Sequence, residues 1–290
     1  MSSPGPVSRR RFLAASSAAA AECLLPHVRA AEPTPKGKIP VGVQLWTLRN
    51  EVQQDLAGTL RRVAEIGYAG IELWFQQWPK ANALKKVVAD CGLRITSAHV
   101  NLKDLLDDFP RLSDYHHELG NKTLVIPYIP NYAGLSQDDW RRTIDDVRHV
   151  ARAGTEAGFQ VLYHNHDFEF TTKVGDVEVF DQIFGTIDAK VLGAEIDVFF
   201  VAEVGRDPVA LLRKFDGRLK RVHLKEKAKP GSKGKNTELG RGTIDWPAVL
   251  AAAAAAGTEW YLVEQNCEER PALESIQISF DYLKSLGVVG

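Results

Sequence analysis

Several short apolar runs in this chain end in, or close to, a side chain that can bind a proton or a metal ion. These side chains are Glu72, His99, His164, His166, Asp197, His223 and Glu264. Taken singly, a histidine near the end of such a run is most often a hydrogen-bonded structural residue. The grouping carries more. Asp197, His223 and Glu264 each close a strongly apolar run, and a buried charge without a partner is very costly. Two carboxylates and an imidazole suit a divalent ion such as Mn²⁺, Zn²⁺, Co²⁺ or Fe²⁺ better than an ion that prefers oxygen alone. A salt-bridged core network is the competing account. The spread over separate runs favours one shared mouth that holds a metal.

For these side chains to converge, the runs must be strands. Val41–Trp46, Gly70–Trp74, Arg94–His99, Lys122–Ile126, Gln160–His166, Leu192–Asp197, Leu219–Leu224 and Trp260–Glu264 are short and apolar, and amphipathic stretches alternate with them. In Leu56–Ile66 the apolar residues Leu56, Leu60, Val63 and Ile66 recur at helical spacing, and Gly67 stops the helix. Leu84–Cys91, Asp138–Ala157, Val179–Ile187, Pro208–Phe215, Trp246–Ala256 and Ala272–Leu286 read as further helices. Such alternation implies a parallel sheet with helices outside it. Eight units over about 250 residues favour a single (β/α)₈ barrel across 40–288. An open doubly wound sheet shares much of the pattern, but no Gly-x-Gly-x-x-Gly follows the first strand. In a closed barrel the C-terminal strand ends face the active site. The polar, Gly- and Lys-rich stretch 225–242 then lies on that face, with a plain surface loop as the alternative.

The chain has 290 residues, 44% of them hydrophobic, and a formal net charge of −1. Charges of both signs are interspersed, which argues against a nucleic-acid partner. No stretch reaches the roughly 18 apolar residues of a spanning helix. The N-terminus reads separately. Arg9-Arg10-Arg11 stand directly before Phe12-Leu13, an Ala-rich stretch runs to Ala21, and Val28-Arg29-Ala30 suits a signal peptidase. Residues 1–30 are therefore expected to be a twin-arginine export signal, with a linker at 31–39. The mature protein is then periplasmic or otherwise exported, free of the membrane after cleavage. Cys91 and Cys267 remain after cleavage, too few for a disulfide framework, and are expected to be free thiols.

A further set of segments carries a likeness to a known family: Gly42-Val-Gln-Leu-Trp-Thr-Leu-Arg49, Gly70-Ile-Glu-Leu73, Ser97-Ala-His99, Tyr163-His-Asn-His-Asp-Phe-Glu-Phe170, Asp197-Val198, His223-Leu-Lys225, Gly240-Arg-Gly-Thr-Ile-Asp-Trp246 and Val263-Glu264. With these the chain resembles the xylose-isomerase-like barrel superfamily, especially its sugar phosphate isomerase/epimerase branch, over roughly residues 40–288. The resemblance implies one divalent metal ion held by four side chains from strands five to eight. Asp197, His223 and Glu264 match the last three. The first is usually a Glu at the end of strand five, where this chain has His164, and His166 matches the later histidine of that motif. Either His164 is the fourth ligand, which strand alternation favours because 164 and 166 point to one side, or Glu169 reaches in from the following loop.

The resemblance also implies chemistry through an enediolate, with bases on two faces of a hydroxyketone. Glu264 serves one face. His164 or Glu169 serves the other, with His166 beside them in the catalytic group. Lys225 is expected to neutralise a substrate oxygen, Glu72 and His99 to bind hydroxyls, and Trp46 and Trp74 to stack on a sugar face. These expectations favour a metal-dependent isomerase or epimerase acting on a small carbohydrate, a ketosugar or keto-glycoside. With only one competent base, a lyase that eliminates water or a glycosyl group from a 3-keto-glycoside or an inosose-like ring is the alternative. Export points away from sugar phosphates. A DNA-repair enzyme like endonuclease IV would need more metal ligands and a basic face. A non-catalytic sugar-binding barrel is the remaining alternative, and a homo-oligomer is compatible with the sequence.

Overall fold

Short runs of apolar residues form the parallel strands β1 (Val41–Gln44), β2 (Gly70–Leu73), β3 (Arg94–His99), β4 (Thr123–Ile126), β5 (Gln160–His164), β6 (Gly193–Asp197), β7 (Leu219–Leu224) and β8 (Trp260–Val263). Neighbours pair in chain order and β1 pairs with β8, so the sheet closes into an eight-stranded barrel. This computed structural model describes residues 38–74, 78–266 and 269–289. The expected export signal at 1–30, the linker as far as residue 37, and Cys267 lie outside the described residues. Cys91, just past a helix end, is a free thiol as expected. No helix among the described residues is long and apolar enough to cross a membrane.

Helices cover the outside of the barrel. Arg49–Gln54 and Leu56–Ile66 follow β1, Ala81–Asp90 follows β2, and Leu102–Leu119 follows β3. Gln137–Glu156 follows β4, Val179–Thr186 follows β5, and Val198–Glu203 and Pro208–Lys214 follow β6. Trp246–Ala255 and Ala272–Ser285 complete the layer after β7 and β8. Their apolar faces pack on the outward side chains of the strands, and Trp140, Tyr163, Phe180 and Trp246 are among the largest fully buried residues. The helix Leu102–Leu119 escapes a search for helical spacing because it bends: Asp108 leaves helical geometry at φ −152 and ψ 55, two residues before Pro110.

Crowding between strands explains some small residues. A Cβ on Gly70 would stand 2.7 Å from the Arg94 carbonyl oxygen and 2.8 Å from Thr96 Cγ2. Pairing also shifts register at two points, between Ile71 and Glu72 on β2 and between Ala194 and Glu195 on β6. In an eight-stranded closed barrel β2 and β6 stand opposite one another. Each shift passes over one residue of the neighbouring strand, Thr96 on β3 and Lys220 on β7, beside the step to a buried carboxylate, Glu72 or Glu195, and an extra residue of this kind re-aims side chains near a site.

The stretch 225–242 is more ordered than its composition suggests. Glu226–Lys227 pairs antiparallel with Asn236–Thr237. The Glu226 carboxylate is fully buried and accepts hydrogen bonds from the backbone N–H of Gly240, Thr243 and Ile244, each 3.0 Å, and from Trp246 Nε1 at 2.5 Å. One side chain thus ties the loop to the start of the next helix.

Candidate active site

Strand alternation sends Gln44, Glu72, Ser97, His99, His164, Glu195, Asp197, Arg221 and His223 inward, and all are buried. So many polar groups persist in a barrel core because they satisfy one another. Glu72 accepts from Gln44 Nε2 at 2.8 Å, Ser97 Oγ at 2.5 Å and His223 Nε2 at 2.7 Å. One oxygen of Glu195 lies 2.8 Å from His99 Nε2, 3.0 Å from His164 Nδ1 and 3.1 Å from His223 Nε2. Below them Arg221 donates to Ser97 Oγ, Gln160 Oε1, the Thr96 carbonyl and Thr123 Oγ1.

Burial and charge divide these groups. Burial alone would lower the His99 imidazole, but the Glu72 charge and the Glu195 hydrogen bond raise it to about 9. His223 is likewise disfavoured by burial yet held well above its ordinary value by Glu195 and Glu72. Glu195 is pushed up by burial and pulled further down by His223 and His164, ending well below the carboxylate range. His164 goes the other way, to about 4, through burial and the neighbouring His223.

Nearer the mouth, Asp197 turns the chain from β6 into the helix Val198–Glu203. Its Oδ1 accepts from the Phe199 N–H at 2.8 Å and so caps that helix. Glu264, just past β8, receives Lys225 Nζ at 2.8 Å on one oxygen and faces His223 Nδ1 at 3.0 Å with the other. Burial raises Glu264, but Lys225 and His223 bring it well below the carboxylate range. Burial dominates at Asp197 and lifts it to about 7. Lys225 is opposed by burial and kept charged by Glu264 and Asp197.

Three buried atoms here have no hydrogen-bond partner among the described residues: Glu195 Oε2, Asp197 Oδ2 and His166 Nδ1. Potential ligand atoms of Asp197, His223 and Glu264 lie within 4.8 Å of one another, and so do those of His99, His164, Glu195 and His223. The open oxygen of Asp197 beside an imidazole and a second carboxylate fits a divalent cation. Of the four ligands implied by resemblance, the structure brings three together and puts His164 in the adjoining cluster, which shares His223.

Glu169 does not join them. Its carboxylate is fully buried and accepts from Tyr163 Oη at 2.9 Å and from the His166 N–H at 2.8 Å. Tyr163 alternates with the inward His164 and so points out of the barrel, and it draws Glu169 with it. Burial raises Glu169 to about 8. The expectation that Glu169 supplies the fourth ligand or a second catalytic carboxylate is therefore corrected: the side chain braces the loop after β5. The strand itself stops at His164, two residues sooner than expected, and His166 stands on that loop at the pocket wall.

A cavity of about 380 Å³ opens above these groups. His99, His164, His166, Lys225 and Glu264 meet it, with Trp46, Trp74, Tyr132, Phe168 and Phe200 around them. His166 is driven well below its ordinary value by burial and by His164, and so is neutral. Lys225 Nζ also lies 5.4 Å and 5.1 Å from the ring centroids of Phe199 and Phe200. Glu72 lies beneath the cavity and meets it only through His99 and Gln44. The expectation that Glu72 binds a substrate hydroxyl is thus replaced by a role beneath the site. Glu195 was not singled out from sequence, although a carboxylate two residues before Asp197 on an apolar strand is a readable signal.

The comparisons agree with this architecture. The family model described as the xylose isomerase-like TIM barrel matches residues 60–286. An inosose dehydratase of Geobacillus thermodenitrificans is 24% identical, with 82% of this chain and 90% of that protein covered. A solved sugar phosphate isomerase/epimerase from Parabacteroides distasonis superposes with a TM-score of 0.73 at 24% identity, covering 88% of this chain and 100% of the other. The IOLI protein, solved with a zinc atom, superposes with a TM-score of 0.69 at 16% identity, covering 86% and 98%. Barrel closure, strand-end chemistry and the matched span together establish that this chain belongs to the xylose isomerase-like TIM barrel family.

Proposed function

We propose that the protein is a metal-dependent carbon–oxygen lyase that acts on the ring of a keto-sugar or keto-polyol. The carrying observation is the pairing, in one cavity, of a neutral imidazole, His166, and a charged ammonium, Lys225. Two opposed carboxylates would suit epimerisation; Glu169 is turned away, and both oxygens of Glu264 are engaged, one by Lys225 and one by His223. An elimination needs one group that takes a proton and another that gives one. Asp197, His223 and Glu264, with His164 as the fourth donor, would hold one divalent ion, which when bound supplies a Lewis acid for the ketone oxygen.

The His166 imidazole takes the proton from the carbon beside the ketone. The electron pair forms a carbon–carbon double bond, the bond from the next carbon to its oxygen breaks, and that oxygen leaves with a proton from Lys225 Nζ. His99 orients ring hydroxyls from the floor. The resemblance to inosose dehydratases supports this class. Export through the twin-arginine route, read from residues 1–30, belongs to the same proposal: replacing Arg10 and Arg11 by Lys is expected to hold the protein in the cytoplasm.

The test is incubation of the protein, loaded with Mn²⁺ or Zn²⁺, with 3-keto-glucosides and 2-keto-inositol in D₂O. Loss of water or of an alcohol supports the lyase. Recovered ketose with deuterium at one carbon and an inverted centre, without elimination, replaces it with the epimerase reading.

A further inference from the structure

Around the polar floor the cavity has two aromatic walls. Trp46 follows β1 and Trp74 follows β2, while Phe168 follows β5 and Phe200 follows β6. In a closed barrel of eight strands, β1 faces β5 and β2 faces β6. The two tryptophans therefore look across the mouth at the two phenylalanines, with Tyr132, after β4, at the rim beside Phe168.

The rim rings are braced as well as exposed. Trp46 and Tyr132 are two of the few large hydrophobic residues that are exposed among the described residues, at 38% and 37%. Arg49 lies over the Trp46 ring with Cζ 4.5 Å from its centroid, and is itself anchored to the Trp46 carbonyl at 2.9 Å. Trp74 meets Trp46 edge-on at 6.5 Å. Tyr132 stacks on Phe168 with centroids 3.9 Å apart and planes 10° from parallel. Each exposed ring thus has one side occupied by the protein and its position set before a ligand arrives, which lowers the ordering cost of binding. Exposed aromatic surface gathered at one cavity marks a binding surface, and a cavity of about 380 Å³ is in the range that accepts a drug-sized ligand. A single six-membered sugar ring, held by its oxygens at the floor, leaves this outer slot unused.

We infer that the substrate is a glycoside: a keto-sugar ring on the polar floor, carrying through its glycosidic oxygen a second, flat-faced ring held between the Trp46/Trp74 and Tyr132/Phe168/Phe200 walls. The second ring is an aryl aglycone or another sugar, since both offer a planar or C–H face to aromatic side chains. This rests on the sugar-ring reading above and gives the leaving oxygen a carbon substituent. The elimination then yields an unsaturated keto-sugar and a free alcohol or phenol, with one proton taken from carbon by His166 and another given to the leaving oxygen by Lys225.

The test is calorimetric binding of methyl β-glucoside, 4-nitrophenyl β-glucoside and cellobiose, each as its 3-keto derivative, and of 2-keto-inositol to the full-length protein. The two-ring ligands are expected to bind at least tenfold more tightly than methyl β-glucoside. Tyr132→Ala is expected to weaken the two-ring ligands at least threefold more than methyl β-glucoside, and Tyr132→Phe to restore them. Preference for only the aryl or only the cellobiose ligand assigns the second ring. Equal binding of methyl and two-ring glucosides, or binding of 2-keto-inositol alone, overturns the glycoside inference and leaves the sugar-ring reading standing. Binding of none of the four sinks both.

Discussion

Nε2 of His223 lies 2.7 Å from Oε1 of Glu72, a residue from across the barrel. The contact turns the other ring nitrogen, Nδ1, toward Glu264. Glu195 does the same for His164 by engaging its Nδ1. A carboxylate behind a metal-binding imidazole fixes its tautomer and orientation, and losing one typically lowers metal affinity by about 10–100-fold. Glu72→Gln and Glu195→Gln are each expected to weaken Zn²⁺ binding by about that factor, read by competition with a chromogenic chelator. Wild-type affinity in both variants would remove these carboxylates from the support of the site.

Asp197 separates binding from folding. Its Oδ1 caps a helix while Oδ2 stands unpaired. Asp197→Asn keeps the capping oxygen and replaces the open one with an amide nitrogen. The variant is expected to hold its thermal stability within about 1 kcal/mol, as surface of the cap is preserved, while losing both bound metal and turnover. Metal analysis after dialysis, beside a thermal melt, distinguishes this from general unfolding. Glu264→Gln is expected to abolish turnover as well, because it removes the partner of Lys225 along with a ligand oxygen.

Glu226 is a buried carboxylate whose partners are all structural. Its two oxygens each accept two hydrogen bonds, so an amide at this position must turn its NH₂ toward donors. Glu226→Gln should therefore destabilise the protein by about 2–3 kcal/mol and Glu226→Ala by about 3–5 kcal/mol, since each buried unpaired group costs about 1–3 kcal/mol. Urea denaturation measures both. A glutamine variant as stable as wild type would show that the carboxylate is dispensable.

The barrel was legible because its signals are repetitive: apolar runs, helical spacing and glycine stops recur in turn. Asp197, His223 and Glu264 were legible because each interrupts a run at its end. Glu195 and Arg221 interrupt runs in the middle, where alternation decides whether a charge faces the axis, and the extra residue Lys220 beside Arg221 alters that alternation locally. Glu169 shows the opposite error. Its place in a dense His/Asp/Glu motif suggested the site, but the outward direction of Tyr163 is a tertiary fact. The opposed aromatic walls needed the closed strand order, which places residues far apart in sequence across one mouth.

Acid stability has a determinant outside the candidate active site. His116 is buried near the end of its bent helix, and its Nδ1 accepts from Asn121 Nδ2 at 3.2 Å. Burial first, then the neighbouring His117, lowers it to about 4. A histidine whose folded value lies below its unfolded one stabilises the fold only while neutral. Its contribution is complete above about pH 6.5 and is lost as pH falls toward 4, because the unfolded chain takes up the proton first. At about 1.4 kcal/mol per pH unit, the loss reaches about 3 kcal/mol by pH 4. His116→Gln removes this titration. Denaturation curves at pH 7.5, 6 and 5 should show the wild type losing stability faster than the variant, with the gap widening at each step. His164 and His166 add their own acid sensitivity to both proteins, so the comparison lies in the difference between the curves. Parallel curves would show that the His116 pocket admits the charged form.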